Sequence, residues 1–399
     1  MKKSLLTIAL LAASTTATAN ELYNGRVSGM AGAGYVTAGY ADGVLYNPSL
    51  LANFGESDDG ALVLNLGALA QDPDDLIDHL DELVDLTDRV QGTNILRSQD
   101  ADELTYLLQQ IDEKTIQVTG GGSLVVAIPT NVISAALVAK GTFALSGTPD
   151  VNDDDYATIE RVKCFTDANE GAGNIENCDT TFDPETDLKS QVTARGALVQ
   201  EIGLALAKSF DLADGSRLLV GVTPKRVEVD TLVYTASVAD FDEDDIDSDD
   251  YRTTASATTM DVGVTLIQGP LSYGLTVQNL SSKKFTAFDG SIYELETRST
   301  AAIGYNNNWL RAEAAVDLNA ISVYGFAGKT QIARAGIELS PLSWLQIRAG
   351  YQTDLESTMP NAFTVGLGLS PFDAINLDLA AISGSDDALG AAMQLGIRF

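Results

Sequence analysis

The sequence predicts an all-β protein, a transmembrane antiparallel β-barrel of about fourteen strands, and three observations carry that expectation. The last stretch, 388–399, alternates without a break: Leu389, Ala391, Met393, Leu395, Ile397 and Phe399 take one face, and Gly390, Ala392, Gln394, Gly396 and Arg398 the other. A ribbon with a wholly apolar outer face and a small or polar inner face suits a wall between lipid and a polar lumen. Period-2 segments recur fourteen times, near 60–69, 116–128, 132–147, 190–210, 216–238, 252–268, 271–280, 297–306, 309–318, 329–340, 343–353, 361–370, 373–382 and 388–399. Short turns such as Asp214-Gly215, Gly269-Pro270 and Pro371-Phe372 alternate strictly with longer loops. One end of the barrel is thus short-looped and the other long-looped, the pattern of periplasmic turns against extracellular loops. A soluble periplasmic β-sandwich is the competing architecture, and it gives no reason for that asymmetry.

Taken in chain order, residues 1–19 read as an export signal, with Lys2 and Lys3, an apolar run from Leu5 to Ala13, and Ala17-Thr18-Ala19 as the cleavage site. The expected location is therefore the Gram-negative outer membrane, after Sec export and cleavage near Ala19. Residues 20–59 are rich in glycine and alanine and lack the periodicity of a strand. The barrel proper is expected over 60–399, with a helical insertion at about 72–115 and acidic extracellular loops at about 149–188 and 239–251. In the insertion Leu76, Ile77, Leu80, Leu83 and Val84, then Leu104, Leu107, Leu108 and Ile111, recur at helical spacing. This amphipathic hairpin either caps the barrel mouth or offers a groove to a partner.

The formal charge is −32, from 24 basic and 56 acidic side chains, and 33 of the 56 lie within 72–114, 150–187 and 240–250. Such a balance argues against nucleic acid as a partner. The run Asp240 to Asp250 either binds divalent cations such as Ca²⁺ or serves as a solvated, aggregation-resisting surface; it lacks the central Gly and closing Glu of an EF-hand loop. Cys164 and Cys178 favour a local disulfide in an exported protein, two free thiols being the alternative. Pro224 falls inside the fifth strand, where its missing donor implies a ladder gap or bulge, or a lateral opening. Trp309, Trp344, Phe210, Tyr273, Tyr305, Phe372 and Phe399 all fall beside short turns and would form a girdle at one headgroup level.

No catalytic or cofactor motif emerges. There is no Gly-x-Ser-x-Gly elbow, phosphate loop or zinc-type cluster, and the single histidine, His79, sits on the acidic helix. The expectation is a non-enzyme without cofactor or metal. Arg311, Glu313, Arg334, Glu338, Arg348 and Arg398 fall on the inward phase of their strands. They either pair across the lumen and hold what fills it, or touch a solute, because buried charges need partners.

Gly29, Gly32 and Gly34 in Gly-Met-Ala-Gly-Ala-Gly, followed by Asn47-Pro48-Ser49-Leu50-Leu51-Ala52 and the Asp-Pro-Asp-Asp start of a helix at Asp72, carry a resemblance. They resemble the plasmid-transfer TraF-type outer-membrane family, itself similar to the FadL long-chain fatty-acid transporter superfamily with its fourteen-stranded barrels and amino-terminal hatch. Asn47 and Pro48 match the FadL Asn-Pro-Ala motif, and Ser49 replaces its alanine. The resemblance implies a hatch built from the first mature residues, with hydrophobic or amphipathic small molecules passing outer-membrane lipid by passive transport. The alternative it implies is a non-transporting component of a conjugation or secretion apparatus that binds a partner through its acidic loops. An amino-terminal extension lying in the periplasm is the alternative to a hatch.

Overall fold

The computed structural model describes residues 22–91, 96–169, 181–239, 251–322, 328–371, 374–385 and 387–399. In chain order the strands begin with β1 Ala61–Gln71, β2 Ile116–Ile128, β3 Ser134–Asp150, β4 Gln191–Asp211, β5 Arg217–Ser237, β6 Arg252–Gln268 and β7 Leu271–Gln278. A hairpin of β8 Lys283–Thr286 and β9 Ile292–Leu295 precedes β10 Arg298–Asn306 and β11 Leu310–Asp317. A second, β12 Ile321–Ser322 with β13 Lys329–Thr330, precedes β14 Ile332–Leu342, β15 Leu345–Asp354, β16 Ala362–Leu369, β17 Ile375–Gly384 and β18 Leu389–Arg398. Leaving out the two hairpins, fourteen antiparallel strands close into one barrel, in chain order, with β18 returning to β1. The barrel strands match the fourteen period-2 segments one for one, with ends differing by at most three residues. Neither small hairpin was legible as alternation, because four-residue and two-residue strands are too short to show a period.

Burial is inverted relative to a water-soluble core. On β1, Leu62, Leu64 and Leu66 are exposed, as are Phe363, Val365 and Leu367 on β16, whereas the inward Asn65, Thr364 and Gln394 are at most 2 % exposed. An exposed apolar belt of this size would associate in water, and in hydrocarbon a closed ladder is the arrangement that leaves no strand edge unpaired. Phe210, Tyr273, Tyr305, Trp309, Trp344 and Phe399 are exposed around the short-turn end; Phe372 lies outside the described residues. The seam is pinned where the amides of Asp59 and Gly60 donate to the Phe399 carbonyl at 2.9 and 2.7 Å. At Pro224 the ladder with β6 is continuous, but the pairing with β4 skips from Gly203/Lys225 to Leu206/Val222 and resumes in register. The proline thus produces a local ladder gap.

The wall is uneven in height. Strands β3 to β6 have 17, 21, 21 and 17 residues, whereas β7, β10, β11 and β14 to β18 have 8 to 11. The tall strands reach a helical layer at the long-loop end. Numbering helices in chain order, α1 is Gly25–Ser28 in the amino-terminal segment, and the layer comprises α2 Leu76–Gln91, α3 Ser98–Ile111, α4 Asp153–Asn169 and the short α5 Pro184–Asp187. Leu76, Leu83, Leu86, Leu104, Leu107 and Ile111 pack with Ile159, Val162 and Phe182 into a core that rests on Val192 and Val238 at the strand ends. Helix α4 falls where the sequence suggested only an acidic loop; its apolar contributions, such as Ile159 and Val162, are too few to mark a periodic stripe. Among the described residues no helix is long and apolar enough to cross a membrane. Cys164 lies on α4, but Cys178 and the run 240–250, on which the expectations of a disulfide and of cation binding rest, lie outside the described residues.

Candidate functional site

The candidate site is the interior of the barrel and the segment that fills it. Residues 22–52 run through the lumen and, except for the partly exposed Gly39, are buried. The path starts beside the wall with a parallel bridge from Asn24 to Met393, and the Asn24 side chain accepts the amide of Val27 at 2.9 Å to cap α1. Short 3₁₀ turns follow at Gly43–Leu45 and Pro48–Ala52, the second opened by Asn47 as its cap and Pro48 in its first turn.

Two chemistries attach this segment to the wall. On the side of β11 to β17 the attachments are ionic and hydrogen-bonded. Arg26 donates to Glu338 at 3.3 Å and to Asp42 at 3.2 Å, and the fully buried Glu338 also accepts from Arg348 at 2.6 Å and Arg311 at 2.5 Å. Arg348 continues to Asp378 at 2.7 Å. Glu313 accepts the consecutive backbone amides of Tyr35, Val36 and Thr37 at 2.6, 3.1 and 2.8 Å, together with the Thr37 hydroxyl at 2.8 Å. Arg334 binds Asp317 at 3.0 Å and lies over the Tyr35 ring, 5.7 Å from its centroid. On the side of β2 to β5 the attachment is apolar: Val44, Leu45, Leu50, Leu51 and Ala52 pack on Val125, Ala127, Ala136, Ala205, Ala207 and Leu219.

Asn47 joins the two. It donates to the Tyr35 carbonyl at 2.8 Å and the Thr265 hydroxyl at 2.9 Å, and accepts the Ser49 amide at 3.1 Å and the Ser49 hydroxyl at 2.7 Å. Both groups of its amide are therefore used, which no other side chain of the same length would accomplish. The wall makes room by omitting side chains. A β-carbon at Gly263 would collide with Asn47, one at Gly221 with Pro48, and one at Gly336 or Gly350 with Met30.

Above this segment, toward the long loops, Lys225 bridges Glu201 and Asp261 at 2.9 Å each, and Lys140 adds to Glu201 at 3.5 Å. The β8–β9 hairpin covers this cluster by folding inward, so that Phe285, Tyr293 and Leu295 pack on the inward-facing Val199, Val227 and Val229. Below, at the short-turn mouth, lies a vestibule of about 780 Å³ lined by Arg26, Arg311, Arg348, Arg398, Asp58, Asp378, Asn308, Asn376 and several serines. The arrangement can hold polar groups at the mouth and excludes bulk water from the middle of the lumen.

Of the residues singled out in the sequence, Gly29 abuts the backbone of Gly366, Gly32 takes a left-handed φ of 84° beside Arg334, and Gly34 packs under Val27. Asn47 and Pro48 lie at the junction just described. Glu313 and Glu338 contact the lumen segment directly; Arg311 and Arg348 act through Glu338, Arg334 pairs with its strand neighbour Asp317, and Arg398 lines the mouth. These ion pairs run mostly between adjacent strands rather than across the lumen. Arg26, Asp42, Asp317, Asp378, Lys140, Glu201, Lys225 and Asp261 were not singled out. Those on strands share the inward phase of the residues that were, which is the signal that could have found them.

The profile of the family described as "F plasmid transfer operon, TraF, protein" matches residues 44–317. No curated protein matches the sequence significantly. Among solved structures, a TodX monoaromatic hydrocarbon channel mutant lacking S2S3 aligns at TM-score 0.53 and 10 % identity, covering 94 % of this chain and 99 % of that one. The toluene transporter TbuX of Ralstonia pickettii aligns at TM-score 0.51 and 11 % identity, covering 95 % of this chain and 99 % of that one. At such identities the likeness is one of fold.

Proposed function

The chain belongs to the family of the F plasmid transfer operon TraF protein, and from that premise we propose that it is an outer-membrane barrel, closed by a movable amino-terminal hatch, through which amphipathic or hydrophobic small molecules pass without energy input. The hatch is residues 20–59, following a signal peptide cleaved near Ala19. One observation carries the reading: the lumen is filled by a separate segment fastened through discrete side-chain contacts, instead of by side chains of the wall itself. A fourteen-stranded wall leaves an interior too wide for its own side chains to fill, so a removable filler is what a gated route requires. The solved structures sharing the fold include a monoaromatic hydrocarbon channel and a toluene transporter, which supports passage of small apolar solutes. The arginines and serines of the mouth favour solutes with a polar end.

The partners in this reading are outer-membrane lipid and a hydrophobic or amphipathic solute, with neither nucleic acid, metal nor cofactor and no catalytic step. Liposome swelling tests it directly: barrels lacking residues 22–59 should admit small solutes that the intact barrel excludes, and tight vesicles in both cases would defeat the proposal. A second reading is favoured by the helical layer, whose own apolar core supports a surface rich in carboxylates. It is a partner-binding component of a conjugation or secretion apparatus. Pull-down of a partner that is lost when α2 and α3 are deleted, with swelling unaffected, would favour it.

A further inference from the structure

We propose that the short-turn mouth carries a binding site for a small hydrophilic carboxylate, its charged end held by Arg398 of the wall and the hydroxyl of Tyr40 in the lumen segment. The site goes beyond the passage reading, since it requires occupancy alone and no flux.

Tyr40 is 4 % exposed and its hydroxyl has no hydrogen-bond partner among the described residues; Gln394, 2 % exposed, has an amide oxygen in the same condition. Buried polar atoms are ordinarily satisfied, and a water or a ligand group is the usual reason when the protein supplies none. Tyr40 and Gln394 line, with Asp42, Asn376 and Arg398, a recess of about 10 Å³, and the Asp42 carboxylate there is paired with Arg26 at 3.2 Å. That is room for about one water-sized group. Asn376 and Arg398 also line the 780 Å³ vestibule, so the recess is its inner corner. The vestibule falls within the range of about 300–1,000 Å³ typical of small-molecule sites.

Charge places the anion at this corner. Arg26, Arg311 and Arg348, the other arginines of the vestibule, are each bound to Glu338, and Arg26 and Arg348 have Asp42 and Asp378 as well. Arg398 makes no ion pair among the described residues. A carboxylate oxygen accepts from both the Arg398 guanidinium and the Tyr40 hydroxyl, which is a charge-assisted pair of bonds. Burial, and the nearby charge of Asp58, push the Tyr40 hydroxyl up to about 12, so it remains a donor at neutral pH. The carboxylate oxygen occupies the one-group recess, and Ser57, Ser343 and Ser370 supply a hydroxyl-binding surface in the adjoining vestibule. Carboxylate plus hydroxyls defines a sugar acid more closely than a fatty acid.

Calorimetric titration of the intact barrel in detergent with D-glucuronate tests this, with glucose, acetate and decanoate as comparison probes. Saturable binding of glucuronate is expected, at least tenfold tighter than glucose, which lacks the charge, or acetate, which lacks the hydroxyls. Tyr40→Phe should weaken it about tenfold, the loss of one hydrogen bond to a charged group, and Arg398→Gln should abolish it. Heat-dependent gel mobility checks that each variant is folded; if Arg398→Gln fails, Tyr40→Phe alone decides. Absence of saturable heat, equal affinity for acetate, an unchanged affinity in the folded variants, or decanoate binding as tightly as glucuronate would each overturn the proposal. Swelling of liposomes is unaffected by any of these outcomes, so the passage reading stands or falls separately.

Discussion

The two flanks of the lumen hold the same segment by different means, and the contrast is instructive. Toward β2 to β5 the contact is a continuous apolar surface in which Leu50 and Leu51 are fully buried. Toward β11 to β17 it is a chain of carboxylates and guanidiniums, Asp42, Arg26, Glu338, Arg348 and Asp378, with Glu313 gripping three backbone amides. Apolar burial is non-directional and survives small displacements. Buried ion pairs lose most of their value once geometry is lost, yet their groups are readily rehydrated if water enters. The ionic flank is therefore the side from which the segment is expected to detach, with Val44 to Ala52 remaining as the fixed end.

Glu338 offers the largest way to break this contrast. Glu338→Gln leaves Arg26, Arg311 and Arg348 without their shared carboxylate, and loss of one partner of a buried pair costs about 3–5 kcal/mol. Denaturant titration in detergent should register that loss, and planar-bilayer recordings should show channel openings absent from the parent. Next comes Leu51→Ala on the apolar flank, expected to cost about 2–5 kcal/mol as a buried large-to-small change. It should leave the barrel electrically silent; openings equal to those of Glu338→Gln would remove the distinction between the flanks.

Asn47→Ala sharpens the comparison at the junction. It takes away the partner of the Tyr35 carbonyl and of the Ser49 amide, while the Ser49 and Thr265 hydroxyls keep each other at 2.8 Å, at about 1–3 kcal/mol for buried partners left unsatisfied. Amide exchange should rise in Tyr35 to Thr37 and in Ser49 to Ala52 together, whereas a rise confined to one side would show that Asn47 does not couple them. The smallest effect is expected at Arg226→Ala on the outer face, where the exposed pair with Glu228 at 3.0 Å contributes at most about 1 kcal/mol. A larger shift in the denaturation midpoint would indicate that the outer face of the tall wall is engaged by something other than solvent.

All fourteen barrel strands were legible as alternation, and β2 and β6 were placed to the residue. Loop helix α4 and the β8–β9 hairpin escaped because neither repeats a pattern over enough residues. Within the site, Glu313 and Glu338 were visible as charges in the inward phase, but Arg26, the partner of Glu338, was not, since 312 residues separate the two. The glycines at 221, 263, 336 and 350 looked like ordinary inward small residues until the segment they accommodate was in place.

The sequence by itself determined the two-faced wall, the number and order of its strands, and which end carries the long loops. These follow from a period of two residues and from local turn chemistry, both of which act over neighbours in the chain. Tertiary structure alone decided that residues 22–52 lie inside the wall, which charges meet there, and that one flank is ionic and the other apolar. Those outcomes depend on barrel closure, which brings residues hundreds of positions apart into a shared low-dielectric space, and no local pattern records that encounter.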